Sequence, residues 1–196
     1  DKILRPSNGN NELFGTYYSW LLHHTGSGNI ENFELLSGTE KAGQFNREMS
    51  PNSDERKFND VKERGFRNWA VYLGLGYNIG SRPAIFTALP VTVIENNLLH
   101  IFSDCSEVSA QSFFGSLCKR VPFFDKGKIF LGVEKIVGEL GVISPAVSSA
   151  VRILHDEKII ELIGTTDAPK DVRLHPNENH MITSSINSIK LLQDRN

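Results

Sequence analysis

Hydrophobic positions along the chain fall into helical runs that twice give way to alternation. Leu13, Phe14, Tyr17, Tyr18, Trp20, Leu21 and Leu22 recur at spacings of three and four after a potential Asn11 cap. They predict a helix that stops near Thr25-Gly26-Ser27-Gly28. Ile30, Phe33, Leu35 and Leu36 predict a short second helix, and residues 37–53 read mostly as loop with a helical turn near Phe45. Ser53 would cap a third helix, with Asp54 and Glu55 in its first turn and Phe58, Val61, Phe66, Trp69 and Leu73 as its buried stripe. Gly65 weakens that helix or admits a close neighbour. Past Gly74 the period changes: Leu75, Tyr77 and Ile79 pair with Ala84, Ile85 and Phe86 across Gly80-Ser81-Arg82-Pro83, a hairpin pattern.

A comparable succession follows. Pro90 opens a linker helix carrying Val91, Ile94, Leu98, Ile101 and Phe102. Ser109 caps a helix with Phe113, Phe114 and Leu117, ended by Pro122. Ile129, Phe130 and Leu131 are expected as a short strand, and Val133, Ile136, Val137 and Leu140 as a short helix. Ser144-Pro145 starts a third helix, with Val147, Ala150, Val151 and Leu154 facing the core. Ile159, Ile160, Leu162 and Ile163 then read as a strand, Gly164 to Lys170 as a loop, and Val172 with Leu174 as the return strand. From Asn177 onward Met181, Ile182, Ile186 and Ile189 suggest an amphipathic terminal helix.

Three helices followed by a hairpin, met twice, outline two tandem winged-helix domains. The expected class is mainly α with small antiparallel β wings. The expected division is a first domain over 1–89 with an N-terminal arm, a linker helix over 90–104, a second domain over 105–176 and a C-terminal helix over 177–196.

Composition narrows the function. Hydrophobic residues make up 39% and charged residues 22% of 196, ordinary values for a chain with packed cores. The formal net charge is -2, so any nucleic-acid contact must come from a local patch or a partner. The two cysteines, Cys105 and Cys118, form no CxxC pair and are expected as reduced thiols in a cytoplasmic protein. No apolar run is long enough to cross a bilayer, and no signal peptide is visible. An opening Asp1 in place of Met is what a trimmed chain or a piece of a longer protein would show.

Residues 141–174, with Ser144, Pro145, Val147, Ser148, Ala150, Leu154, Asp156, Glu157, Ile159 and Ile160 in place, resemble the turn, recognition helix and wing of bacterial winged-helix DNA-binding proteins. Lys158 departs from the glycine usual there. Residues 64–90 look like a helix and wing of the same kind. More weakly, the layout is similar to tandem winged-helix accessory proteins of bacterial DNA-modification and anti-phage clusters. The resemblance implies a third helix in the major groove of double-stranded DNA and a wing on phosphate or in the minor groove. Ser148, Ser149, Arg152 and His155 would then form the reading face, with Lys170 and Arg173 beside the wing. In the first unit Arg64, Arg67 and Asn68 on the helix, and Arg82 at the wing tip, are the DNA-facing candidates. The alternating signs from Asp54 to Arg67 are what intrahelical ion pairs on a solvated surface usually show, and that reading is favoured for most of these charges.

No catalytic motif stands out. His23 and His24 diverge by about 100° on a helix and make a poor chelate. Gly74-Leu75-Gly76 lacks the rest of a dinucleotide fingerprint. The chain is therefore expected to act without a metal, a cofactor or catalysis of its own. Two classes compete: a DNA-binding regulator or targeting subunit of a bacterial DNA-handling or defence system, and a protein-interaction scaffold such as those of chromosome-organising ATPases. A homodimer fits either, and a plasmid-type replication initiator is a third, weaker possibility. An exposed apolar patch beside a wing would favour the scaffold.

Overall fold

The computed structural model describes residues 9–26, 33–50, 58–80, 84–164, 172–177 and 185–192. Over these residues the protein is mainly helical, with small antiparallel sheets. The helices are α1 (Gly9–His24), α2 (Gly38–Met49), α3 (Asp60–Tyr72), α4 (Val91–Ile101), α5 (Ala110–Arg120), α6 (Lys128–Val137) and α7 (Pro145–Asp156). The strands are β1 (Gly76–Ile79), β2 (Ile85–Ala88), β3 (Glu107–Ser109), β4 (Ile160–Ile163), β5 (Val172–Arg173), β6 (Ser185–Ile186) and β7 (Ser188–Leu191). None of the described helices is long and apolar enough to cross a membrane.

Helix α1 runs through the core. Tyr17, Tyr18, Trp20, Leu21 and Leu22 point in several directions around it, yet all are buried. A helix that is apolar on all sides needs partners on all sides. Tyr17 stacks on Phe58 at 3.9 Å between centroids and meets Phe45 and Phe66 edge-on. Tyr18 meets Phe123 at 5.5 Å, and Ser19 Oγ donates to the Phe123 carbonyl at 2.9 Å. The helix thus packs against the 33–88 region and against α6 and α7. Two of its buried polar atoms bond across the core: Tyr18 Oη donates to the Leu75 carbonyl at 2.7 Å, and Trp20 Nε1 to Glu48 Oε2 at 2.7 Å, whereas the buried Tyr17 Oη has no hydrogen-bond partner.

Several sequence expectations are corrected. The stretch read mostly as loop over 37–53 contains α2. Its Ser37 hydroxyl accepts from the Glu40 amide, and the Glu40 side chain accepts from the Ser37 amide. The expected short second helix reduces to a 3-10 turn over Phe33–Leu35. Helix α3 is capped by Asn59 rather than Ser53, which lies outside the described residues. Its inner face is Glu63, Phe66 and Ala70, whereas Val61 and Trp69, expected inside, are exposed. The hairpin is present, with Tyr77 opposite Thr87 and Asn78 opposite Phe86. Gly74 turns the chain into it at φ +71, where a Cβ would press on Thr92.

Ile129, Phe130 and Leu131, expected as a strand, form the first turn of α6. The terminal helix expected over 177–196 is absent from its described part, where residues 185–191 form β6 and β7. Nor does the Val172–Leu174 segment return against β4. β5 pairs with β6, and the partner of β4 is β7, with Ile160 opposite Leu191 and Ile163 opposite Ser188. β7 also pairs with β3, which gives a three-stranded antiparallel sheet in the order β3-β7-β4.

Candidate nucleic-acid interface

The two third helices differ sharply in what they show to solvent. Helix α7 is nearly enclosed. Its apolar stripe is buried as expected, but Ser148 and Arg152 are buried too, at 0% and 3% exposure. The solvated face expected for them is therefore corrected. Ser148 Oγ donates to the Ile143 carbonyl at 3.0 Å and accepts from the His175 amide at 2.9 Å. Arg152 Nη2 donates to the His175 carbonyl. Ser149 is half-buried, and the half-buried His155 accepts from the Leu162 amide through Nδ1 at 3.1 Å. Ser148, Arg152 and His155 of the expected reading face are thus bonded to the protein's own backbone.

The start of α7 is also internal. Pro145 occupies the first turn, and the Ser144 hydroxyl makes no cap bond; it donates to Asp125 Oδ2 at 2.8 Å. The Ser144 amide donates to Asp125 Oδ1 at 2.5 Å. Burial pushes the Asp125 carboxyl up to about 6, against the pull of these two bonds. Asp125 sits beside a cavity of about 330 Å³, together with Glu134, Glu139, Lys126 and Arg173. Arg173 is exposed on β5. Lys170 and Arg82 lie outside the described residues.

Helix α3 turns a broad face outward. Arg64 and Asn68 are exposed on it, as expected of groove-facing side chains. Arg67 is not available in the same way. Its Nε donates to Glu63 Oε2 at 3.0 Å and its Nη1 to the Ala84 carbonyl at 2.7 Å, so it fastens the hairpin to the helix. Burial raises the Glu63 carboxyl and the Arg67 charge opposes that rise. Lys41, also buried, lies over the Phe33 ring at 5.1 Å, and burial lowers its ammonium.

Sequence reasoning missed the remainder of this face. Trp69 is 55% exposed and Tyr72 76% exposed, with their rings edge to face at 5.7 Å. Val61 is exposed on the same helix, and Tyr77 and Ile79 are exposed on β1. At about 100° per residue, Val61, Arg64, Gly65, Asn68, Trp69 and Tyr72 fall within an arc of roughly 140°. The inward set 63, 66 and 70 occupies the other side. A readable signal was the acidic count: from Val61 to Ile94 the basic residues are Lys62, Arg64, Arg67 and Arg82, and Glu63 is the one acidic residue. Because Glu63 is buried against Arg67, the outward charge of this stretch is positive although the whole chain is acidic.

The histidine doublet lies elsewhere. His23 Nε2 is 2.8 Å from the Gly138 carbonyl and His24 Nε2 is 2.9 Å from Glu48 Oε2. Among the described residues no three His, Cys, Asp or Glu side chains are grouped as a metal site.

Residues 3–168 match a protein-family model described as DpdG-like. No curated protein and no solved structure matches the chain.

Proposed function

The chain belongs to the DpdG-like family, and on that premise we propose that it is a non-catalytic accessory protein of a bacterial DNA-modification or defence system that binds DNA through α3 and the β1–β2 hairpin. The observation that carries this is the contrast between the two third helices. Helix α3 exposes Arg64 and Asn68 in a locally cationic stretch, and α7 has its arginine buried. A regulator and a targeting subunit would both use such a surface.

The winged-helix architecture belongs to the same proposal. In the first part, α1, α2 and α3 precede the β1–β2 hairpin. In the second, α4, β3, α5, α7, β4 and β7 follow one another around the β3-β7-β4 sheet, with α6 as an additional helix. On this reading α4, expected as a linker, belongs to the second motif.

The test is binding of labelled DNA at increasing salt. Each phosphate contact contributes a slope of about -0.9 in log affinity against log salt on duplex, and about -0.7 on single strands. Affinity should fall steeply with salt, and Arg64→Ala should flatten the slope. Absence of binding to any DNA at low salt overturns the proposal. One observation favours a second reading. Tyr77 and Ile79 are exposed on the hairpin and Val71 on α3, which is apolar surface of the kind a protein partner covers. A partner that co-purifies through high salt, with no DNA affinity, would decide for that reading.

A further inference from the structure

The outward face of α3 has a notch at its centre. Gly65 is framed along the helix by Val61 one turn before it and by Asn68 and Trp69 one turn after. A Cβ built on Gly65 meets nothing within 4 Å, so the space above it is open. Gly in the middle of a helix costs about 1 kcal/mol relative to Ala, so this opening is kept at the expense of helix stability. No packing neighbour requires it.

We propose that this notch seats an unpaired DNA base, so that α3 binds single-stranded in preference to duplex DNA. The inference rests on the DNA-binding reading above and names the form of DNA. Three features converge on it. The first is the ring pair: Trp69 and Tyr72 are exposed on the rim and held edge to face at 5.7 Å, which presents aromatic surface to a planar ring. The second is the Asn68 amide, exposed beside the notch, which offers two donors and an acceptor to a base edge. The third is charge. Arg64 is exposed one turn before Asn68 with Lys62 exposed nearby, and past the exposed Asp60 at the start of α3 no outward carboxylate follows as far as Gly80 in the described residues. A duplex keeps its bases stacked and shows a groove helix only their edges, which leaves this aromatic surface without a role. A flexible strand can lay a base on it. Charge complementarity selects a polyanion over an apolar peptide as the occupant.

Fluorescence offers a direct readout, because Trp20 is fully buried and Trp69 is exposed. The full chain is titrated with an oligothymidylate and, separately, with a blunt duplex of the same length. The expected result is tighter binding of the single strand together with quenching of the exposed tryptophan emission, which is lost in Trp69→Phe. Trp69→Ala should weaken single-strand binding by about 5- to 150-fold, the range for one base–aromatic stack. Gly65→Leu should weaken it comparably while raising the melting temperature, since it fills the notch and improves the helix. That opposite pair of shifts separates a binding defect from misfolding. Equal or tighter duplex binding without tryptophan quenching would overturn the base seat and leave DNA binding by α3 standing. No binding to either oligonucleotide would remove the DNA-binding reading itself. Single-strand affinity unchanged in Gly65→Leu would overturn the notch as the seat.

Discussion

Arg152 on α7 donates through Nη2 to the backbone carbonyl of His175 at 2.7 Å, which ties the helix to the chain just beyond β5. Its Nε is buried with no hydrogen-bond partner, and burial lowers the pKa of the guanidinium. Arg152→Ala should therefore behave as a core substitution. It frees a part-buried carbonyl, worth about 1 kcal/mol, and opens a void in the core, worth about 1–3 kcal/mol. The urea midpoint should drop accordingly, while DNA affinity of the folded fraction stays close to that of the parent chain. A large affinity loss at unchanged stability would place Arg152 back on a binding face.

Arg64 and Arg67 are three residues apart and should give opposite phenotypes. Arg67 is paired with the buried Glu63 and bonded to the Ala84 carbonyl. Arg67→Ala strands a carboxylate and should cost about 3 kcal/mol. Adding Glu63→Gln should recover part of that loss in a double-mutant cycle. Arg64→Ala should leave stability within about 0.5 kcal/mol and weaken only DNA binding. Thermal melts and binding isotherms of the three variants decide the assignment.

Two carboxyls make stability depend on pH with opposite signs. Burial raises Asp125 from 3.8 to about 6, so the folded state favours its protonated form. Its stabilising contribution, up to about 3 kcal/mol, is complete below pH 3.8 and is lost as pH rises through about 6. Burial would raise Glu48 as well, but hydrogen bonds from His24, Trp20 and Gln44 outweigh it and bring it from 4.5 to about 2. Its contribution is present above pH 4.5 and is lost as pH falls towards 2. Asp125→Asn should remove the decline between pH 4 and 6, and Glu48→Gln should flatten the acid limb. Melting temperatures from about pH 2 to about pH 6, read for both variants, test the two signs separately.

The capping box of α2 gives a fourth prediction. Ser37→Ala removes the acceptor for the Glu40 amide and should cost about 1 kcal/mol. Glu40→Ala should cost less, because the higher helix propensity of Ala inside α2 offsets part of the lost bond to the Ser37 amide. Chemical denaturation of both variants measures the difference.

Ser37-Gly38-Thr39-Glu40 also shows where the sequence could have been read better. The box is spelled in those four residues, but the neighbouring Gly, Asn and Pro drew the stretch towards loop. Helices α1, α4, α5 and α7 and the hairpin after Leu73 were legible because their apolar positions keep one period throughout. The run Ile129-Phe130-Leu131 was ambiguous because a short apolar run suits a buried strand or a helix turn equally. Ile186 and Ile189 mimic helical spacing because a bend at Asn187 resets the alternation between β6 and β7, so both side chains are buried although they are three apart. For the candidate interface, Arg64 and Asn68 were visible as polar outward positions. Trp69 and Val61 were assigned to the core on hydrophobicity alone, and only the helix phase set by Glu63, Phe66 and Ala70 moves them outside. The burial of Arg152 follows from the backbone of residue 175, a contact that periodicity within one helix does not encode.

The middle strand of the β3-β7-β4 sheet is β7, separated from β3 in the chain by α5, α6, α7 and β4 to β6. On a ribosome, β3 and β4 emerge with no partner between them and stay unjoined until residue 191 is out. Assembly of this half is therefore deferred until residue 191 has emerged, when a long loop closes in one late step. Until then the edges of β3 and β4 are open to pairing with other chains, which makes nascent-chain length a determinant of this protein's yield.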